Sequence, residues 1–459
     1  MPAAAGSRRE QPVDAVVVGA GFAGLSAARA LVRARRSVLV LEARDRVGGR
    51  VLNHPIGGGR VIEAGGQYVG PTQDRLMALA RAYRVGTYPT YNTGGLVTIF
   101  GDKREVGGFP QALGREYHRL AALLDVMSRE VPVDAPWRAP RAREWDSQTV
   151  RTWLEANTES RDAMALFANY SVLWGAEPSD VSLLFALFYI AAAGNARTPG
   201  RLERLLSTGS GAQQLRFVGG SQLIAQRVAR ALGRRVILEA PVRAIQRAGG
   251  GVRVVADGHT VRARRVIVAV PPPLAGAIDY SPELPALRAQ LLQRQPMGSL
   301  IKAEAIYDRP FWRRAGLSGQ ALIDTGPVSS TFDNTPPGGR PGVLFGFIGA
   351  HQARIWSPRS ATARRTAILG NFAAILDDDR ALRPRDYFEL DWDRQQWSRG
   401  APVAFVAPGV LLDYGRAIRA PVGLIHWAGT ETATFWNGYI DGAVRSGERA
   451  AAEVLRGLR

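Results

Sequence analysis

The sequence predicts an α/β protein: a parallel sheet whose chain is interrupted by an inserted α+β domain. Three observations point there. A β-branched run, a glycine turn, an apolar-periodic segment and a second β-branched run follow one another between residues 14 and 41. Near residues 100–142 this strand-like text gives way to helices, loops and Pro-rich turns, and helical text continues through Leu206. From Phe217 onward a helix and short strands return. At 459 residues the chain is long enough for more than one core.

The first unit reads strand (14–18), turn (Gly19-Ala-Gly21-Phe-Ala-Gly24), helix to about Arg35, strand (37–41). Each glycine has a task. Gly19 permits the tight turn, Gly21 lets backbone approach a pyrophosphate, and Gly24 lets the helix pack closely on the sheet. The helix N-terminus then faces the phosphates with unpaired N–H groups and its positive dipole end. Glu42 follows Gly24 by eighteen positions, where such a unit places its ribose-binding acid. Next come Arg44 and the string Val47-Gly48-Gly49-Arg50, a second glycine pair whose backbone can lie against a diphosphate while Arg50 neutralises it. After the inserted segment, a helix is expected from 222 to Leu232, strands at 236–238 and 242–245, and a hairpin of 252–256 and 266–270 turning near Asp257-Gly258. Residues 295–389 read as a second visit to the inserted domain, and the tail from Trp397 as a third visit to the first.

Composition removes whole classes of chemistry. There is no cysteine, so disulfides, iron–sulfur ligation, cysteine nucleophiles and a thioether link to a cofactor are excluded. The five histidines are scattered without ligand spacing, and no metal is expected. The formal charge of +19 is carried almost wholly by arginine, only Lys103 and Lys302 being lysine. These charges are spread along the chain, which reads as solvated helix faces before a nucleic-acid footprint, so no specific nucleic-acid partner is expected. The lead MPAAAGSRREQP lacks a following apolar region of the secretory kind, which points to the cytoplasm. The longest apolar stretch, 181–193, is short of the roughly 20 residues of a membrane span, so no membrane attachment is expected.

Five stretches together resemble the flavin-containing monoamine oxidase family, its bacterial members above all: VVVGAGFAGL with LEARDRVGGR, EAGGQYVGPTQDRL (63–76), MGSLIKAEAIYDRPFWR (297–313), APGVLLDYG (407–415) and HWAGTETATFWNGYIDGAVRSGERAA (426–451). The resemblance implies a Rossmann-like FAD-binding domain (1–88, 210–292 and 395–459) with an inserted α+β substrate domain (89–209 and 293–394). It implies an enzyme that oxidises a primary or secondary monoamine at its C–N bond to an imine, then an aldehyde or ketone, reducing O2 to H2O2. A homodimer is the family's usual assembly.

Residue by residue, the resemblance assigns FAD contacts to Gly19, Gly21, Gly24, Glu42, Arg44, Gly49, Arg50, Gly65, Gly66, Gln67, Val242, Gly429, Thr430, Tyr439 and Ile440. It matches Lys302 to a lysine that reaches the flavin through a water. A chain that replaces lysine by arginine nearly everywhere has kept this one, in an apolar strand-like setting where a buried ammonium is costly. Tyr439 matches one wall of an aromatic cage that guides the amine. Ala401 stands where mitochondrial members carry a cysteinyl flavin, so FAD is expected to be non-covalent. Pro402 stands at the second cage aromatic, with Phe405 or Trp397 as candidate substitutes. Gln213 and Trp392 match residues near the amine and the flavin, and Leu205 and Leu206 match apolar gate residues. Tyr68, Tyr170, Leu173, Trp174 and Phe188 are candidate pocket walls. An L-amino-acid oxidase would need an arginine near Tyr68 for the substrate carboxylate. A polyamine oxidase would need pocket acids, and a flavin-bearing binding protein for nucleic acid or acidic partners is the rival from another class.

Overall fold

The computed structural model describes residues 13–459, so the N-terminal lead and the expectation built on it lie outside the described residues. The first strand, Val13–Val18, runs parallel to Val38–Leu41 on one side and to His259–Val268 on the other. Ala15, Val16 and Val17 are fully buried, as a strand covered on both faces requires. Across the sheet the order is Val236–Ile237, Val38–Leu41, Val13–Val18, His259–Val268, Gly251–Ala256, Val242–Ala248, Asp279–Ser281, with Ile425–Trp427 beside the last residues of His259–Val268.

The hairpin turns at Asp257-Gly258, where Gly258 takes φ +70°. Its second strand begins at His259, earlier than its apolar run suggests. In that first half Val261 and Ala263 point into the core while Arg262 and Arg264 are exposed, an alternation that the arginines disguise.

Two helices carry the sheet's chemistry. Phe22–Arg33 leaves the glycine turn, and the last helix, Ile440–Gly457, packs along it. A methyl group on Gly24 would lie 1.9 Å from the Gly19 carbonyl oxygen, and one on Gly447 would lie 2.0 Å from that of Ala23. Only glycine permits either approach.

A second sheet has the order Asp386–Asp391, Leu300–Tyr307, Gly342–Gly349, Ser330–Asp333, Leu317–Ile323, Gly95–Phe100, Lys103–Val106. Every residue of Leu300–Tyr307 is buried. Helix Ala361–Leu376 covers one face through Ile368, Phe372 and Ile375. The strand Lys103–Val106 falls where helical text was expected. Its four residues are exposed edge positions without an apolar alternation. A third core gathers helices between residues 111 and 191 around Trp145, and the longest apolar stretch supplies its buried helix, Leu183–Ala191. Among the described residues no helix is long and apolar enough to cross a membrane.

Candidate active site

One cleft lies where the first sheet, the helices Phe22–Arg33 and Ile440–Gly457 and the second sheet meet. Gly19 and Gly21 line it. Gly19 takes φ +97°, and beside Gly21 the space a side chain would fill is open. The helix Phe22–Arg33 starts there with neither a side-chain cap nor an acidic residue in its first turn. Its free N–H groups and dipole therefore favour an anion in the cleft. Gly48 bridges back to Gly21, and its N–H donates to the Ala20 carbonyl at 3.0 Å, which brings the second glycine pair onto the same wall.

Glu42 directly follows the neighbouring strand with its carboxylate clamped: Oε2 accepts from the Ala20 N–H at 2.6 Å and Oε1 from the Arg44 N–H at 3.0 Å. Each oxygen keeps a lone pair for a hydroxyl. Arg44 donates to Ser398 Oγ at 2.7 Å, and burial pulls its guanidinium down to about 10. Val242 and Trp397 are on the wall at this side, with Arg243 over the Trp397 ring at 5.7 Å. The neighbouring Ser398, bonded to Arg44, ties Trp397 to the Glu42 side of the cleft. An uncapped helix N-terminus, an open glycine backbone and a fixed carboxylate fit a dinucleotide such as FAD. Glu42→Ala is expected to weaken FAD retention about 10–100-fold, the ~1.5–3 kcal/mol of a hydrogen bond to a charged group. Titrating FAD into the apoprotein checks this, and an unchanged affinity would remove Glu42 from the site.

Arg50 reaches the cleft, but its guanidinium forks onto Glu431 at 2.6 and 3.1 Å and donates to the Pro402 carbonyl at 2.8 Å. Any charge it lends a diphosphate is shared with Glu431, a partner 381 positions away.

At the other side, Gly65, Gly66, Gln67, Tyr68, Trp392, Lys302, Gly429, Thr430, Tyr439 and Ile440 share the wall. Gly65 is needed by contact, since a methyl there would meet the Arg50 carbonyl oxygen at 2.3 Å and Trp392 at 3.0 Å. Trp392 is held by its Nε1 donating to the Ala64 carbonyl at 3.1 Å. Tyr439 begins the last helix, again without a side-chain cap. Its hydroxyl donates to the Leu205 carbonyl at 3.0 Å, and the Trp436 ring stands edge-on at 4.9 Å. Burial pushes the Tyr439 phenol well above its ordinary value, so it stays neutral. Tyr68 also faces the cleft, and its buried hydroxyl has no partner in the protein.

Lys302 is 1% exposed on its buried strand. Its ammonium donates to the Glu63 carbonyl and to Gln67 Oε1, and lies over the Phe345 ring at 4.3 Å. Burial pulls its proton affinity down, and Glu304 and Glu63 oppose that.

Other candidates are not among the residues lining this cleft. Gly24 is spent on helix packing. Leu205 is buried in the helical core and offers its carbonyl to Tyr439, and Leu206 packs against the same core. The Tyr170 hydroxyl pairs with that of Tyr117. Phe405 packs on the helical core, as do Leu173, Trp174 and Phe188. The Gln213 carbonyl accepts from Thr90, while its side-chain Oε1 is buried without a partner. Sequence reading passes over Glu304, Asn334, Arg216 and Glu431. Only Glu304 had a local signal, two positions from Lys302 on one strand face.

Residues 22–455 match the family described as flavin containing amine oxidoreductase. AofH of Mycobacterium tuberculosis, a flavin-containing monoamine oxidase by name, is 46% identical over 450 residues covering 96% of each chain. Putrescine oxidase, solved with bound putrescine, superposes with a TM-score of 0.91 at 35% identity, over 97% of this chain and 99% of that one. Cyclohexylamine oxidase from Brevibacterium oxydans IH-35A does so with a TM-score of 0.91 at 34% identity over the same shares. The chain belongs to the flavin-containing amine oxidoreductases, enzymes that oxidise amines with a flavin.

Proposed function

We propose that this chain binds FAD non-covalently and oxidises a small primary or secondary monoamine. Convergence carries the reading: Lys302, Tyr439, Tyr68 and Trp392 share one cleft with the Gly19–Gly21 turn and Glu42. The absence of cysteine supports the non-covalent attachment, with Ala401 on the wall at the matching position. The first sheet draws on segments before residue 88, between 210 and 292 and after 395, and the second on segments within 89–209 and 293–394. That supports the division into FAD-binding and amine-binding domains.

Bound FAD would supply the ring that takes a hydride equivalent from the carbon beside the amine nitrogen. The chain's part is to orient and to exclude water. Tyr439 and Tyr68 present neutral rings to the amine, Trp392 and Phe347 wall the pocket, and Lys302 holds a proton donor at its edge. The imine product hydrolyses to an aldehyde or ketone, and O2 is reduced to H2O2.

Two features favour a monoamine. Among the described residues Glu42 is the one carboxylate lining the cleft, so a second ammonium group lacks a partner near Lys302. The lining arginines are Arg44 at the Glu42 side and Arg50 in its pair with Glu431, which leaves none to clamp an amino-acid carboxylate. A homodimer is proposed on the resemblance and is readable as mass in solution.

The test is anaerobic bleaching of the flavin band. Benzylamine, phenethylamine or cyclohexylamine is expected to bleach it, while putrescine, spermidine and L-amino acids leave it yellow. Bleaching by amino acids alone would overturn the reading of Tyr68.

A further inference from the structure

Behind the cleft lies a charged cluster that the reaction as described does not use. Strand periodicity puts Lys302 and Glu304 on one face of Leu300–Tyr307, and both are at most 1% exposed. Lys302 Nζ lies 3.4 Å from Glu304 Oε1, an oxygen with no hydrogen bond. The other oxygen, Oε2, accepts from Asn334 Nδ2 at 2.8 Å. Asn334 Oδ1 in turn accepts from Gln67 Nε2 at 2.9 Å, and Gln67 Oε1 accepts from Lys302. Four side chains thus close a ring, of which Lys302 and Gln67 line the cleft and Glu304 and Asn334 do not.

We propose that Glu304, oriented by Asn334, is the counter-charge and proton partner of Lys302, so that amine and carboxyl share one proton behind the cleft. Glu304 is a positioning residue, acting through Lys302. The step balances: the proton passes from ammonium Nζ to carboxylate Oε1, giving neutral amine and neutral acid with no change in net charge.

Charge bookkeeping in the buried cluster supports this. The neighbouring groups are the Glu63–Arg216 pair at 2.5 Å, the neutral phenols of Tyr68 and Tyr88, and Asp333, which Arg313 neutralises. Lys302 and Arg216 therefore balance Glu63 and Glu304. Without Glu304 one positive charge is in excess, and lysine is the group able to shed it. Burial works the same way, lowering Lys302 and raising Glu304 toward a common proton. The assignment rests on the reading that Lys302 serves the flavin site, but its test does not need turnover.

Lys302 and Lys103 are the chain's two lysines, and Lys103 is exposed. Holoprotein grown on ε-13C-lysine should give two resolved NMR signals, with Lys103 as the internal reference. In E304Q the Lys302 signal is expected to titrate about one pH unit or more below wild type, a roughly tenfold loss of proton affinity. E304D should restore it, and Lys103 should not move. Equal Lys302 titrations in wild type and E304Q would overturn the proposal. Should E304Q not fold, wild type carries the test: a shared proton gives Lys302 a two-step titration, and a single step would overturn it. Failure of amines to bleach the flavin would end the monoamine reading and leave this titration standing.

Discussion

Replacing Lys302 by methionine is expected to leave a folded, yellow protein whose oxygen-dependent turnover is slower by about 10²–10⁴-fold, the usual worth of a positioned proton donor. Methionine keeps the apolar stem and most of the length of the side chain and loses the ammonium that lies over the Phe345 and Phe347 rings. The charge left behind is self-correcting. Lys302 is the main group holding the Glu304 carboxyl down against burial, so without it Glu304 takes up a proton and the cluster stays neutral. What disappears is the one amine at the edge of the cleft. Stopped-flow spectroscopy separates the outcomes: reoxidation of the reduced flavin by dioxygen should slow, while anaerobic bleaching by the amine is largely kept. Normal reoxidation in the variant would remove Lys302 from the chemistry.

The largest stability loss is expected from Arg216→Met. The pair Arg216–Glu63 has side chains 2% and 1% exposed. Arg216 belongs to Leu215–Phe217, the middle strand between Tyr68–Val69 and Thr87–Pro89, and its guanidinium also reaches the Thr335 carbonyl at 3.3 Å and the Tyr88 ring at 5.2 Å. Removing one member of such a pair strands the other charge away from water, at a cost of about 3–5 kcal/mol. The measurement is thermal unfolding of the holoprotein, with a Tm several degrees below wild type expected. Adding Glu63→Gln should recover part of the loss, because the stranded charge goes with it. The exposed pair Arg141–Glu144 is the control, and Arg141→Ala should leave Tm unchanged. A wild-type Tm for Arg216→Met would mean that the buried pair contributes no net stability.

Much of the nucleotide side was legible because its signals are local. The run from Val13 to Glu42 states strand, turn, helix, strand in consecutive residues, with Gly24 pressed against the Gly19 carbonyl and Gly21 open to the cleft. Asp257-Gly258 marks a hairpin by turn chemistry alone. Lys302 stood out by composition, as one of two lysines among many arginines. Glu304 was legible by the period of a strand and was passed over.

The rest depends on segments that meet only after folding. Arg50 looks free in sequence, yet Glu431 closes on it from the far end of the chain. Leu205, Tyr170 and Phe405 are apolar or aromatic residues whose side chains pack with the helical core, and nothing in their neighbours tells a pocket wall from core. Lys103–Val106 carries no alternation because it is exposed on the sheet edge. By itself the sequence determined the dinucleotide turn, the flavin amine oxidase family and the presence of one unusual lysine, since each is written in short-range spacing. The tertiary structure alone decided which charges pair and which side chains share the cleft, because burial, not spacing, sets the cost of leaving a charge without a partner.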